Sequence, residues 1–281
     1  MLTKPDIADE TIVTCAAESF GLRISNGNFL PIGADVNSAV YRLTTLDGAR
    51  YLLKLRRGNF DEIAVRVPAY LHARGISRVM APRATPTKGS WASAHGFVWV
   101  LYPFFEGKTG FEVSLSATQW IALGETIRAV QSESLPAELR SRLPRESYSA
   151  RDRTIVKRLD AELEQRSFDD SVAARFADFW TAKRDDIRTI VGHAEQLASK
   201  TEQRHAEFVL CHSDLHARNV LLRGEDELVI IDWDEPILAP KERDLMFVGG
   251  GVGGIWNDPR EADWFYKGYG PAEIDAVALA Y

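Results

Sequence analysis

The sequence predicts an α+β chain in two lobes, a small N-terminal lobe built on an antiparallel sheet and a larger, mostly helical C-terminal lobe. Three observations carry this. Residues 23–57 and 79–105 run in apolar stretches punctuated by turn residues, the texture of strands. From Gly110 onward apolar residues recur at helical spacing. Between the two, Glu106-Gly107-Lys108-Thr109-Gly110 places glycine and charge directly after an apolar strand, as a joint does. The lobes are therefore assigned as residues 1–106 and 107–281, and 45% hydrophobic content over 281 residues is enough to bury a substantial core, a length that suits one large domain or two lobes.

Taken in order, Ile12, Val13, Ala16 and Phe20 predict a first helix, with acidic residues at its start and Gly21 to stop it. Phe29–Gly33, Ala39–Leu43 and Tyr51–Leu55 read as strands. Asp47-Gly48 joins the last two, since that dipeptide suits the turn of a hairpin. Phe60–Arg74 returns to helical spacing through Ile63, Val67, Tyr70 and Leu71, and Gly75 closes it. Pro68 is expected to kink that helix or mark an early boundary, because proline removes a hydrogen bond and crowds the preceding turn. Two more strands follow within 79–105, the second being Gly96–Phe105, so that five strands and one inserted helix make the small lobe. Helices are expected at about 116–134, 151–165 and 170–203, the last carrying Val172, Phe176, Phe179, Ile187, Ile190, Val191 and Leu197 on one stripe. Ile274–Tyr281 is apolar and helix-prone with no stop signal after it, and reads as cut off.

Composition narrows the class. With 34 basic against 40 acidic residues the net charge is −6, which argues against a nucleic-acid partner and fits a cationic substrate. Cys15 and Cys211 lie far apart, implying neither a disulfide framework nor a zinc ribbon and fitting a reducing cytoplasm. No uninterrupted apolar run of the ~18 residues a membrane span needs occurs, so no membrane partner is expected. Nothing in the sequence fixes an oligomeric state.

The chemistry concentrates in Leu210-Cys211-His212-Ser213-Asp214-Leu215-His216-Ala217-Arg218-Asn219 and in Ile230-Ile231-Asp232-Trp233-Asp234. His-x-Asp is followed five residues later by Asn, and a second Asp ends the apolar strand Leu228–Ile231. That set suits phosphoryl transfer: Asp214 as catalytic base orients a substrate hydroxyl, while Asn219 and Asp232 offer the oxygen ligands that Mg²⁺ prefers. His212 braces the loop. A rival set is His212, Asp214 and His216 as metal ligands of a hydrolase; the other histidines, His72, His95, His193 and His205, are scattered.

Lys54 is an ammonium in an otherwise apolar strand, placed to pair with the α- and β-phosphates of a nucleotide. Glu62, at the start of the next helix, is the expected carboxylate partner of Lys54, with Asp61 adjacent. Gly33-Ala34-Asp35-Val36-Asn37-Ser38 occupies the place of a phosphate loop with one glycine only, leaving Ser38 as a candidate phosphate contact. Tyr102–Phe105 form a linker, Tyr102 and Phe104 among them, whose backbone would meet adenine. Asp234, Glu235, Asp258, Glu261, Asp263, Trp256 and Trp264 offer carboxylates and aromatic faces suited to an amine, with Asp234, Glu235, Asp263 and Trp264 the leading substrate contacts. Asp234 could equally support its loop or face solvent. Gly249, Gly250, Gly251, Gly253 and Gly254 read as a flexible break, since no dinucleotide-type strand precedes them.

The runs CHSDLHARNVLL and IIDWDEP resemble the catalytic segment of the aminoglycoside phosphotransferase family, relatives of choline kinase with a protein-kinase-like fold. The order of small lobe, linker strand, helical insert, catalytic loop and metal Asp follows that family over nearly the whole chain. The resemblance implies a bilobal kinase-like fold, ATP or GTP with Mg²⁺ as cofactors, and a structural role for Asp244 behind the metal loop. It also implies further helix beyond residue 281. The longer runs IDWDEPILAPKERDLMFVGGG and VPAYLHARGIS are most similar to the branch that phosphorylates spectinomycin, which implies γ-phosphate transfer to a hydroxyl of a cationic amino-alcohol antibiotic, and hence resistance. Alternatives are another aminoglycoside, a choline or ethanolamine kinase, a homoserine or sugar kinase, and, in a different class, a nucleotide-binding regulator without turnover.

Overall fold

The computed structural model describes residues 3–33, 35–166, 168–204 and 206–281. Ala34 of the expected phosphate loop and His205 lie outside the described residues.

α1 (Asp9–Phe20) ends where Gly21 takes the left-handed conformation, at φ 62°. Five strands then build one antiparallel sheet: β1 (Ile24–Leu30), β2 (Ser38–Thr45), β3 (Arg50–Arg56), β4 (Ala92–Ala94) and β5 (Phe97–Pro103), in the order β1-β2-β3-β5-β4. Period-two alternation gives the sheet two faces. Ala39, Tyr41, Leu43, Leu53, Leu55, Trp99 and Leu101 pack with Ile12, Ala16 and Phe20 of α1 into one core. On the opposite face the register aligns Ser38 with Arg56, Val40 with Lys54, Lys54 with Val100 and Leu52 with Tyr102.

α2 (Ile63–Ala73) starts later than expected and continues past Pro68. Proline in a helix interior costs about 3 kcal/mol. Burying Ile63, Val67 and Leu71, each contributing roughly 1.5–3 kcal/mol, outweighs it. Those three side chains join the second core, which the C-terminal part of the chain builds.

That part is mostly helical: β6 (Lys108–Thr109), α3 (Ala117–Ser132), α4 (Ala137–Arg142), α5 (Arg151–Gln165), α6 (Ser171–Ala182), α7 (Arg184–Glu202), β7 (Val209–Cys211), β8 (Val220–Arg223), β9 (Glu227–Ile230), β10 (Ile237–Ala239), α8 (Glu242–Leu245), α9 (Pro259–Tyr269) and α10 (Ala276–Ala280). α3 opens with a reciprocal cap, Ser116 Oγ accepting from the Gln119 N–H and Gln119 accepting from the Ser116 N–H. α3 and α9 meet backbone to backbone at two glycines: a Cβ on Gly124 would overlap the Phe265 carbonyl oxygen, and one on Gly268 the Ile121 carbonyl oxygen. The single helix expected over 170–203 is two helices, broken at Lys183. The expected stripe needs one unbroken helix, and the break dissolves it: Val172, Phe176, Phe179 and Ile190 are exposed while Val191 is buried. Among the described residues no helix is long and apolar enough to cross a membrane, and both cysteines are free.

Candidate active site

Two short antiparallel pairs aim the motif residues at one another. β7 pairs with β10, Cys211 opposite Ile237, so the chain leaves β7 at His212 beside the point where it enters β10. β8 pairs with β9, Val220 opposite Ile230, which brings Asn219 alongside Ile231; the Ile231 N–H donates to the Asn219 carbonyl at 2.9 Å. Asp232, next in sequence, thereby emerges next to Asn219 although thirteen positions of hairpin separate them.

Buried groups lock the loop. Asp244, on α8 and fully buried, accepts the N–H of His212 at 3.0 Å and of Ser213 at 2.8 Å. Burial pushes its carboxyl above the usual aspartate range, against the pull of the His212 side chain and these N–H groups. His212 Nε2 donates to the Ile231 carbonyl at 2.9 Å, and its Nδ1 accepts the Asp214 N–H at 3.3 Å. One ring therefore ties the Asp214 loop to the Asp232 loop. Both joints are bent: Ser213 and Asp232 are non-glycine residues at φ 72° and 62°, a left-handed conformation that persists only where surrounding contacts enforce it.

Asp214 is half exposed. Asn219 Nδ2 donates to its Oδ2 at 3.1 Å and to its carbonyl at 2.8 Å, and His216 Nε2 lies 3.4 Å from the same Oδ2. Its Oδ1 is the oxygen left for an incoming hydroxyl. Turning the Asn219 amide nitrogen to Asp214 leaves its carbonyl oxygen for a cation. With the Asp232 carboxylate, that makes a hard-oxygen donor pair fit for Mg²⁺, which binds through one or two protein groups and completes its shell with water and phosphate.

From the opposite sheet, Lys54 Nζ reaches Asp232 Oδ1 at 3.0 Å and Asp234 Oδ2 at 2.8 Å, with its side chain only 17% exposed. Arg56 Nη1 takes the other oxygen of Asp234 at 3.0 Å. Burial alone would weaken the charge on Lys54, but the carboxylates of Asp234 and Asp232 overcome this and hold its pKa above the ordinary lysine value. Asp232 answers in kind: burial raises its pKa, but the charge and hydrogen bond of Lys54, together with Asp234 and His212, leave it below the usual range.

Lys54, Asp214, Asn219 and Asp232 thus come together, but the expected Lys54–Glu62 pair does not form, and other candidate residues are engaged within the protein. Glu62 does not hold Lys54; it pairs with Arg66 and Arg142, because α2 presents it to cations of α2 and the α4 end. Asp234 has one cation on each oxygen, Lys54 on Oδ2 and Arg56 on Oδ1, so it supports its loop in this structure. The Ser38 hydroxyl donates to Asp35 Oδ2. The Phe104 N–H is bonded to the Arg50 carbonyl, and Phe104 lines a cleft of about 730 Å³ together with Tyr51, Arg83 and Leu228, a cleft that none of the four motif residues lines. Tyr102, by contrast, lies near the acidic pair: burial, then Asp234 and Asp232, push its phenol pKa well up. Glu235 is exposed and its carbonyl accepts the Ser213 hydroxyl. Asp263 is exposed on α9, whereas Trp264 packs against the second core. Both ring nitrogens of His212 are spent, and among the described residues no group of three His, Cys, Asp or Glu is arranged to hold a metal, so the hydrolase set is not assembled. Arg56 and His216 are the residues that sequence reasoning passed over as parts of a phosphotransfer site. Strand alternation gave a signal for Arg56, which lies two residues from Lys54 and so shares its face.

The profile of the phosphotransferase enzyme family, APH, matches residues 28–279. No curated protein matches the chain. Among solved structures, spectinomycin phosphotransferase APH(9)-Ia in complex with ADP and spectinomycin is 36% identical with a TM-score of 0.92, over 98% of this chain and 83% of that one. Its AMP-bound complex is 35% identical with a TM-score of 0.89, over 97% and 84%. An amicoumacin kinase with AMP-PNP and Ca²⁺ shares the fold at 17% identity, with a TM-score of 0.63 over 94% and 77%. The chain belongs to the APH phosphotransferase enzyme family and is a small-molecule kinase of protein-kinase-like fold.

Proposed function

We propose that this kinase moves the γ-phosphate of ATP to a hydroxyl of a cationic amino-alcohol, an aminocyclitol such as spectinomycin, and so confers resistance to it. Residues 1–106 are read as the nucleotide-binding lobe and 107–281 as the catalytic and acceptor lobe, working in the cytoplasm where ATP is available. The observation that carries the reading is the convergence of Lys54 from β3 with Asp232, and of Asn219 with Asp214, in one place. The 36% identity to an enzyme bound to ADP and spectinomycin supports the acceptor class.

Each residue has a defined task. Asp214 Oδ1 orients the acceptor hydroxyl and takes its proton as the new P–O bond forms and the bond to the β-phosphate oxygen breaks, with ADP leaving. Asn219 and His216 hold Oδ2 so that Oδ1 faces the acceptor. Lys54 carries positive charge to the phosphates. Asn219 and Asp232 would hold Mg²⁺, which when bound neutralises charge on the triphosphate.

The test is ADP release in the presence of ATP and Mg²⁺ against spectinomycin, kanamycin, choline, ethanolamine, homoserine and a neutral sugar. Spectinomycin should stimulate release most, with phosphorylated drug recovered. Stimulation by choline, homoserine or sugar instead would replace the drug with a metabolic acceptor, and nucleotide binding with no stimulated release by any acceptor would make the chain a regulator.

A further inference from the structure

Arg56 belongs to no expected set, yet it sits in the middle of the site. It ends β3 on the face of Lys54, and the two cations share one carboxylate: Lys54 on Asp234 Oδ2, Arg56 on Asp234 Oδ1. All three side chains are largely shielded, 17%, 20% and 26% exposed. Same-face neighbours on a strand lie roughly 6.5 Å apart, so a single carboxylate serves both only by turning one oxygen to each.

This geometry bears on how Lys54 is released to a nucleotide. In the structure its ammonium is bound by Asp232 and Asp234. To meet phosphates it must weaken at least one of these bonds, and a partly buried carboxylate stripped of its only partner is costly. Asp234 is not stripped, because Arg56 remains on it. From this we infer that Arg56 is a positioning residue for nucleotide binding. It holds Asp234 in place of Lys54, so that the lysine can pass from the carboxylates to the phosphates without stranding a charge, and it fills the ordering role that sequence gave to Glu62. The inference rests on the nucleotide-binding part of the proposed function, and not on the identity of the acceptor.

The experiment is a double-mutant cycle read by calorimetric titration with ADP and Mg²⁺, alongside nucleotide KM, kcat and thermal unfolding. Arg56→Gln should weaken ADP binding about ten-fold, the worth of one charge-assisted hydrogen bond. Nucleotide KM should rise with it while kcat at saturating nucleotide changes little, and Arg56→Lys should recover most of the affinity. Adding Asp234→Asn to Arg56→Gln should restore binding to within about three-fold of wild type, because no carboxylate is then left to strand. Weakening that persists in the double variant would mean that Arg56 contacts phosphate itself, and would overturn the inference. So would a fall in unfolding temperature with ADP affinity unchanged, which marks a merely structural pair. Failure of the wild type to bind ADP would sink the proposed function instead, which keeps the two failures apart.

Discussion

Replacing Asp214 with asparagine tests the centre of the site, because the structure states what the amide must do. Asp214 Oδ2 accepts from Asn219 Nδ2 and faces His216 Nε2, so the asparagine oxygen must take that position to avoid setting its NH₂ against two donors. The NH₂ then points where Oδ1 stood, toward the acceptor, and can donate but not accept. Loss of a positioned base costs on the order of 10²–10⁴ in rate, or about 3–5 kcal/mol of barrier. The substitution is nearly isosteric, leaves the Lys54–Asp232 pair untouched and keeps an oxygen on Asn219 Nδ2, so nucleotide affinity should stay within about three-fold. Coupled ADP release with spectinomycin gives kcat, and calorimetry with ADP gives affinity. A folded variant that keeps more than a tenth of wild-type kcat would refute the assignment of the base.

Other outcomes follow from neighbouring features. Gly124→Ala or Gly268→Ala forces a methyl into a carbonyl across the α3–α9 contact; overpacking of this kind should cost ~1–3 kcal/mol or more and lower the unfolding temperature by several degrees, measured by calorimetric scan. Asp244→Ala strands the N–H groups of His212 and Ser213, each costing ~1–3 kcal/mol when buried and unpaired, so the urea midpoint should fall and kcat with it, whereas an unchanged midpoint would show that water replaces the carboxylate. Asp232 has a depressed pKa in the folded state, so its contribution is present above the unfolded aspartate value near ~4 and is lost as pH falls through the folded one. Unfolding free energy should therefore drop more steeply for wild type than for Asp232→Asn as pH falls below about 4, and parallel curves would contradict the pairing.

What the sequence disclosed was what short stretches determine by themselves. α1 with its glycine stop and the Asp47-Gly48 hairpin are local, and both form close to where they were expected. The catalytic segment was legible for the same reason: His212, Asp214 and Asn219 sit on the one loop that links β7 to β8, and Asp232 follows β9, the strand paired with β8. Partners across the molecule were not. Lys54 takes its carboxylates from 178 and 180 positions away, and no local pattern separates these from Glu62, eight residues on. Pro68 does not end its helix, because its penalty is local while the burial that offsets it is not. Lys183 misled in the opposite sense, since the periodicity through it is that of a continuous helix.

The single imidazole that spans His212 to Ile231 has one more consequence. It makes the base loop and the Asp232 loop one preassembled block, anchored from below by Asp244, and to that block the β3 strand contributes only cations. A change confined to β3 should therefore retune how tightly the phosphate donor is gripped while leaving untouched the oxygen that greets the acceptor, so that donor affinity and acceptor choice are free to evolve on separate pieces of the chain.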